Sequence, residues 1–347
     1  MARHGITILN RAAVKNRLRQ EREGLEDTFL PLSRLRLDIR DPLAPVEDRF
    51  TLSLPGERPG YRLSETALRQ LAGLGGMPVP FLERLPASLG LSTLRSCLTL
   101  LMEQRQDPAF LLRIRSGLRP RIRAFLPSSF PRFDDRDVLA EVLRVLDGHR
   151  NLQVTSFAVT DDLFSLRLVF PQRLNLGTSK RPDPAYSGID VRNSETGVRP
   201  LEIRRVLHRL VCSNGLTHVT DGQRELRAQK VGMDRHRFRE VFSRSLEESL
   251  RWGRDSAGRL GEGHARFIAD PVAEVKGIFR KYRLGNAAGL PGRLVLDELT
   301  RSANLLGVSR FDLVQAFTSV AQRLDHDRRL RFEDAMGAYL FQGLSRN

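Results

Sequence analysis

The segment Leu111–Phe125 combines a dense set of arginines with a turn and contains no acidic residue. Its five arginines are Arg113, Arg115, Arg119, Arg121 and Arg123. Residues alternate at period two on both sides of Ser116–Pro120, which predicts a β-hairpin. Side chains alternate between the faces of a strand, so all but Arg119 are expected to crowd one surface. Like charges that face each other destabilise a sheet, and a bound polyanion would offset that repulsion. We therefore predict phosphate contacts here, with a solvated β-face rich in arginine as the alternative.

A second cluster of basic residues lies in the segment Arg199–Arg209, ahead of the turn-forming pair Asn214-Gly215. We expect Arg204, Arg205 and Arg209 to extend the track of phosphate contacts. Arginines that are ion-paired at the edge of a strand or helix would give the same composition, so that alternative stays open. A third run, from Arg224 to Arg239, is diluted by acids and carries a weaker prediction.

Signals for catalysis are poor. The sequence has no phosphate-binding loop of the GxxxxGK[ST] type, no GxSxG elbow and no HExxH motif. His208 and Cys212 have the spacing of a helical metal pair and His218 follows, but a fourth zinc ligand is not evident. Asp270 and Glu274 imitate part of a nuclease signature, yet the apolar spacing around them predicts a helix where that chemistry needs a strand. We expect a non-enzymatic protein with no metal and no cofactor.

Charge is the most informative property of the whole chain. The 347 residues include 57 Lys and Arg against 41 Asp and Glu, which gives a net charge of +16. Nucleic acid is the commonest partner of a soluble protein with such an excess. Two cysteines exclude a disulfide framework, and no apolar run reaches the ~18 residues of a membrane span. The start of the chain lacks the pattern of a signal peptide, so we expect a cytoplasmic protein without membrane contact.

The hydrophobic pattern changes along the chain and predicts an α+β fold. Helices are expected within residues 61–107, with Ser64 as the N-cap of the first, and further helices after residue 232. Strands are expected between 110 and 212, with a turn at Asp161-Asp162, around a helix at Asp134–Leu146 whose first acidic residues complement the helix dipole. We predict a central antiparallel or mixed sheet that carries the basic hairpin, flanked by N-terminal helices and a C-terminal helical region. The predicted organisation is an N-terminal arm (1–60), an α+β core (61–257) and a helical region (258–347). Glycine-rich linkers are expected at 258–263 and 285–292.

Several segments together resemble a family encoded by phages and plasmids that is known only as a domain of unknown function. The similar segments are Tyr61–Pro86, Arg123–Asp134, Val191–Gly197 with Arg209–Gly215, and Leu313–Gly337. Pro127 and Phe130 stand where the family has Ser and Tyr. The family brings no reaction with it, but its association with phage and plasmid genes implies DNA transactions. Its helix-flanked, strand-rich centre is also loosely similar to single-strand annealing proteins of the phage recombinase type, a likeness of fold only.

Charge and resemblance lead to one expected function and two alternatives. We expect a homo-oligomeric protein that binds single-stranded nucleic acid, DNA in the first place, and anneals strands in phage or plasmid recombination or replication. The first alternative is an interaction or regulatory module that binds an acidic protein partner. A metal-dependent nuclease ranks third. The turn-forming residues of the resembling motifs, Asn193, Gly197, Asn214 and Gly215, have a structural interpretation as well as a functional one.

Overall fold

The structure, a computed structural model, describes residues 8–56, 60–105, 109–149, 151–175, 184–209, 215–218, 233–263, 266–286, 289–302 and 307–342. In these ranges the protein has a mixed α+β fold, as predicted. The strands form two sheets where one central sheet was expected.

The strands of the first sheet are β1 (Leu25–Pro31), β2 (Arg36–Ile39), β3 (Phe50–Ser53), β4 (Tyr61–Leu63), β5 (Ala109–Arg115) and β6 (Arg121–Pro127). Those of the second sheet are β7 (Gln153–Val159), β8 (Phe164–Asn175), β9 (Pro184–Asn193), β10 (Glu202–Arg209) and β11 (Gly215–His218). The helices are α1 (Arg11–Glu21), α2 (Val46–Arg49), α3 (Glu65–Leu74), α4 (Val79–Arg84), α5 (Ala87–Arg105), α6 (Asp135–Gly148), α7 (Arg235–Gly263), α8 (Pro271–Tyr282), α9 (Leu290–Ser302), α10 (Arg310–Ala321) and α11 (His326–Gln342).

The first sheet is mixed, in the order β1-β5-β6-β4-β3-β2. β5 and β6 pair antiparallel, which confirms the predicted hairpin, and β4 runs parallel to β6. Helices α3 and α5 cover one face, where apolar side chains such as Leu68, Leu94 and Phe125 are buried. Ser64 begins α3 as predicted, because its hydroxyl accepts a hydrogen bond from the Ala67 N–H at 3.0 Å.

The expectation of an N-terminal arm is wrong for the described part of residues 1–60. β1 pairs with β5 along its whole length, and β2 and β3 extend the opposite side of the same sheet. Breaker signals at Asp41–Pro45 and after Ser53 mark turns between strands, not the boundary of an arm. The physical reason is that hydrogen bonds to distant strands, which local spacing does not reveal, satisfy the backbone of these short segments.

The second sheet is antiparallel, in the order β11-β10-β9-β8-β7. One of its faces is apolar and packs against α6 and α7, with α1 beside the β7 edge. Phe164, Leu166 and Val191 from the strands are fully buried there against Phe238 and Phe242 of α7. This core is separate from the one under the first sheet, so the two sheets are two packing units.

The C-terminal helices α8 to α11 form a third apolar cluster, which includes Phe279, Phe317 and Phe332. The predicted linker at 258–263 is wrong, because α7 continues to Gly263. Helix propensity disfavours each glycine by only about 1 kcal/mol, and the packing of a long helix overrides it. At the second predicted linker, α9 begins at Leu290, inside the predicted range. Among the described helices, none has the length and apolarity needed to cross a bilayer.

Two helical glycines give a matched test of how tightly α7 packs on β9. A Cβ at Gly253 of α7 would lie 2.5 Å from Cβ and Oγ of Ser187, whereas a Cβ at Gly277 of α8 would meet nothing within 4 Å. We expect Gly253→Ala to lower the free energy of unfolding by about 1–3 kcal/mol through overpacking. Gly277→Ala should raise it by about 0.5–1 kcal/mol through helix propensity. Urea denaturation of both variants checks this, and stabilisation by Gly253→Ala would contradict the close helix–strand contact.

Candidate nucleic-acid interface

The β5–β6 hairpin carries the predicted arginines, but they do not form one exposed cationic face. Arg113 and Arg123 are buried, with 3% and 1% exposure. Arg115 and Arg121 are half-buried, and Arg119 is exposed in the turn. The prediction that Arg113 and Arg123 lie on an exposed surface is therefore wrong, because the first turn of α6 and two turns of the second sheet cover that face.

Glu195, which follows β9, lies at the centre of the contact between the two sheets. Arg123 Nη1 donates to Glu195 Oε2 at 3.2 Å, and Arg22 Nε lies 3.3 Å from the same oxygen. Glu195 Oε1 accepts from the backbone N–H of Asp135 at 3.2 Å. The Asp135 carboxylate also accepts from Arg22 Nε at 3.2 Å. One carboxylate thus joins the hairpin, the residue after α1 and the start of α6.

Asp161, in the turn between β7 and β8, pairs with three arginines of the hairpin. Arg115 Nη2 donates to Asp161 Oδ1 at 3.0 Å, and Arg121 donates to Oδ2. Arg123 Nε lies 3.7 Å from Oδ1 and its Nη2 donates to the Asp161 carbonyl. The turn therefore supplies one of the anions beside the arginines where a polyanion was expected.

Arg113 has its own acidic partners at the edge of the same contact. Its Nη2 donates to Asp134 Oδ1 at 2.7 Å, and its Nε lies 4.0 Å from Asp27 on β1. We call the following set the hairpin network: Arg22, Arg113, Arg115, Arg121, Arg123, Asp27, Asp134, Asp135, Asp161 and Glu195. It holds five guanidinium groups and five carboxylates, so it carries no net charge when all are ionised.

Hydroxyl and amide groups complete the contact between the sheets. Thr196 and Thr66 donate their hydroxyls to Asp162, at 2.7 and 2.8 Å. Gln70 Nε2 donates to the Thr196 carbonyl at 2.7 Å, and Gln70 Oε1 accepts from the Phe125 N–H at 2.8 Å. The segment around Thr196 therefore binds the second sheet to α3 and β6.

Asn193 and Gly197 have structural roles in this segment. Asn193 Nδ2 donates to the Phe133 carbonyl at 3.1 Å and to Asp135 at 2.8 Å. Gly197 has φ +77°, and a Cβ there would lie 3.0 Å from Leu126 and 3.2 Å from Phe130. Both the backbone conformation and the close approach favour glycine. Asn214 lies outside the described residues, and Gly215 begins β11.

Burial and mutual charge shift the pKa values of the central groups. Burial, together with the nearby Glu195 charge, raises the pKa of Asp135 to about 6. Burial also opposes ionisation of Glu195, but the Arg22 and Arg123 charges outweigh it and hold the Glu195 pKa below its ordinary value. Burial lowers the pKa of Arg123, an effect that Glu195 opposes. The arginines thus keep Glu195 ionised, and Asp135 takes up the proton first as pH falls.

The second predicted basic segment is also part of an ionic contact. Arg204 Nε donates to Glu202 at 2.8 Å, and its other end pairs with Asp334 on α11. Arg192 Nη1 donates to both oxygens of Asp334, at 3.0 and 2.8 Å. We call the following set the strand–helix network: Arg167, Arg192, Arg204, Arg329, Asp190, Glu202, Glu333 and Asp334. It contains four guanidinium groups and four carboxylates.

The remaining predicted residues are distributed differently. Arg205 faces α7 and pairs with Glu248. Arg209 ends β10, and its side chain lies outside the described residues, as do Cys212 and the side chain of His218. Within the described ranges, no group of three or more His, Cys, Asp and Glu side chains has the arrangement of a metal site. Glu274 lies on helix α8, as its spacing predicted, and hydrogen-bonds Tyr339.

The sequence analysis named the arginines and missed the carboxylates that neutralise them. Asp134 and Asp135 were predicted as a helix N-terminus, which the capping box of α6 confirms, and Asp161 as part of a turn. Their pairing with the hairpin was not expected. Arg123 and Glu195 are 72 residues apart in the chain, so no local spacing signals the contact.

Because both networks are neutral, the excess charge of +16 belongs to other residues. Lys15, Arg17 and Arg19 on α1 are exposed, as is Arg119 in the hairpin turn, and none pairs with a described acid. Exposed cations without a described acidic partner also include Lys276, Arg280 and Arg283 on or next to α8.

Comparison with known proteins gives no relative: no family model, no curated protein and no solved structure matches the chain.

Removal of Arg123 tests whether the hairpin network is structural. Arg123→Ala leaves Glu195 and Asp161 short of a partner in a buried site, so we expect a loss of about 3–5 kcal/mol in the free energy of unfolding. Arg119→Ala, in the exposed turn of the same hairpin, should change it by no more than about 0.5 kcal/mol. Chemical denaturation of both variants measures the difference. Equal effects would show that Arg123 is solvated and would contradict the network.

His208 gives a pH test of the strand–helix network. Burial, followed by the Arg167 and Arg329 charges, lowers its pKa to about 4, although Glu333 and Asp190 pull in the opposite direction. Because the folded state disfavours the imidazolium, the contribution of neutral His208 to the free energy of unfolding is fully present above pH ~6.5 and is lost as pH falls toward 4. Between pH 7 and pH 4.5, the free energy of unfolding should therefore fall by about 2–3 kcal/mol more in wild type than in His208→Gln. Urea unfolding at both pH values measures this, and parallel losses in the two proteins would refute the assignment.

Proposed function

We propose that the protein is a non-enzymatic, single-stranded nucleic-acid-binding protein that anneals DNA in phage or plasmid recombination or replication. The observation that carries the proposal is the location of its charge. Eighteen ionised groups pair inside two neutral networks, and the excess of +16 remains outside them. A surface with such an excess attracts polyanions, and nucleic acid gains further from the release of its counterions.

We assign the phosphate contacts to the exposed turn of the hairpin and to α1, because the other hairpin arginines are paired with carboxylates. Arg115 Nη2 donates to the carbonyl of Glu21 at the end of α1 at 3.0 Å, and the Ser116 N–H donates to the Gly24 carbonyl at 2.8 Å. These bonds bring the turn that carries Arg119 to the end of α1. Lys15 and Arg19 are four residues apart and share one face of α1. We name Lys15, Arg19 and Arg119 the α1–turn surface.

An exposed aromatic ring and exposed guanidinium planes support a preference for single strands. Arg17 lies over the ring of Phe157, with 5.8 Å between guanidinium carbon and ring centroid; that ring is buried, so the Arg17 guanidinium plane is the group that a base can stack on. Phe29 on β1 is 45% exposed, and Arg132 lies 5.5 Å over its ring. Unpaired bases of a single strand stack on rings and guanidinium planes, whereas the bases of a duplex are already stacked and paired. Phosphate and stacking contacts do not read base identity, so we expect little sequence specificity.

The test is fluorescence anisotropy with a labelled single strand of ~30 nucleotides across a salt series, with the duplex for comparison. The variant Lys15→Glu/Arg19→Glu/Arg119→Glu should bind more weakly, and the slope of log K against log salt should fall by about 2, since each single-strand phosphate contact contributes about 0.7. The matched control is Lys276→Glu/Arg280→Glu/Arg283→Glu, which changes the net charge equally on the α8 region. Equal losses in both variants would refute the α1–turn surface.

Absence of binding by wild type at low salt would refute the proposed function itself. The excess positive charge would then bind another anion. An acidic protein that co-purifies at fixed stoichiometry in a pull-down would identify that partner in place of nucleic acid. Binding that favours the single strand leads to an annealing assay with complementary oligonucleotides. In that assay, measured together with the oligomeric state, we expect acceleration by a homo-oligomer.

A further inference from the structure

The face of the second sheet opposite its apolar core is charged. Strand register places Arg167 opposite Asp190, Asp190 opposite Arg204, and Arg192 opposite Glu202 on three adjacent strands. All five side chains point away from the core under α6 and α7, and each residue is at most 4% exposed. Buried charges on a strand face need a cover that supplies counter-charges. The face alone carries three cations and two anions.

Helix α11 supplies the missing carboxylates. Arg167 Nη2 donates to Glu333 at 2.7 Å, and Asp334 bridges Arg192 and Arg204. A carboxylate held between two guanidinium groups has the chemistry of a bound phosphate, because both anions accept paired N–H donors. The Asp334 side chain is 22% exposed, so this part of the contact reaches the surface.

Hydrogen bonding under α11 is incomplete. Arg167 Nε, Asp190 Oδ1 and His208 Nδ1 are buried polar atoms that have no hydrogen-bond partner among the described residues. Buried donors without a partner are costly, and a ligand with several acceptor oxygens would use the vacant Arg167 Nε–H. The hairpin network also has buried Nε atoms without a hydrogen-bond partner, so the Arg167 Nε–H indicates where a phosphate oxygen would bind rather than a weaker contact.

The helices that cover the strand face have a core of their own. Residues of α8 to α11 make up most of the third apolar cluster, to which the strands contribute the buried residues Ala185 and Leu207. Phe332, Met336 and Leu340 of α11 pack into that cluster, whereas Glu333 and Asp334 turn to the strands. Separation of the unit α8 to α11 from Arg167, Arg192 and Arg204 would break these ion pairs, the contact of α11 with β11 and the contacts of Ala185 and Leu207. It would leave the apolar packing among the four helices intact.

We infer that the strand face formed by Arg167, Arg192 and Arg204 is a second phosphate-binding surface for single-stranded nucleic acid, and that α11 covers it with Glu333 and Asp334 in the place of phosphates. The inference rests on the proposed function, which the α1–turn surface tests separately. Displacement of α11 exposes three guanidinium groups against two carboxylates. The Arg204 contact predicted from the sequence then forms only in the open state.

Hydrogen exchange of the full-length wild type, with and without a saturating ~30-nucleotide single strand, tests the displacement directly. Bound strand should speed amide exchange in residues 326–342 and slow it in β8 to β10. Binding of the oligonucleotide without faster amide exchange in α11 would overturn the inference and leave the proposed function standing.

A variant pair tests the cover by affinity. Glu333→Gln/Asp334→Asn should bind the strand about tenfold more tightly, because an open state populated at about 10% limits the apparent affinity of wild type. The matched control is Asp297→Asn/Glu298→Gln on α9, an adjacent acidic pair in the same helical unit, in which Glu298 lies 3.5 Å from Arg301 and 3.8 Å from Arg323. It changes net charge equally, so a similar gain there would overturn the inference.

The milder variant Asp334→Asn replaces the double variant if the latter fails to fold, as judged by circular dichroism. If a variant binds the oligonucleotide tightly and wild type binds it weakly, the result supports the inference that α11 covers the strand face. Absence of binding by wild type and folded variants alike overturns both the cover and the proposed function.

Discussion

A guanidinium group that leaves water needs a carboxylate beside it, and this requirement determines how the three packing units of the protein fit together. Each unit has its own apolar core: one under the first sheet, one between the second sheet and α6 and α7, and one among the C-terminal helices. The contacts between the units rely on buried ion pairs, beside apolar contacts such as those of Ala185 and Leu207 with the C-terminal helices. Glu195 and Asp161 join the first two units, and Glu333 and Asp334 join the last two.

Ionic contacts of this kind specify an arrangement more than they stabilise it. The desolvation of a buried charge offsets much of the attraction between partners, so an intact pair contributes little, whereas a broken pair is strongly unfavourable. Arg123 accepts only a position where Glu195 and the Asp161 turn are both present, because an alternative docking of the sheets would leave charges unpaired. Apolar surfaces, which attract without direction, would not select one register in this way.

The same pairing changes what the basic composition means. Arginine is abundant in the hairpin because it serves the contact between sheets, and the pairs there leave no charge for a partner. Under the proposed function, the cations left for nucleic acid are exposed residues such as Lys15, Arg19 and Arg119. The strand–helix network differs from the hairpin network in one respect: its acids Glu333 and Asp334 belong to a helix whose apolar side faces another core. In the open state that we infer, phosphates would take the place of these two carboxylates at the same arginines.

The sequence by itself determined most of the elements after residue 60 and their order, but not the strands β1 to β3 or the last turns of α7. Period-two alternation predicted β5 and β6, Ser64 and Asp134 marked the starts of α3 and α6, and the apolar spacing around Glu274 predicted a helix where a nuclease needs a strand. These features depend on neighbours within a few residues, which the sequence displays. Only the tertiary structure decided which face of the hairpin meets solvent, because Glu195 lies 72 residues from Arg123 and Glu333 lies 166 residues from Arg167. An arginine on a strand has the same local pattern whether a carboxylate, a phosphate or water receives its charge, and distant parts of the chain make that choice.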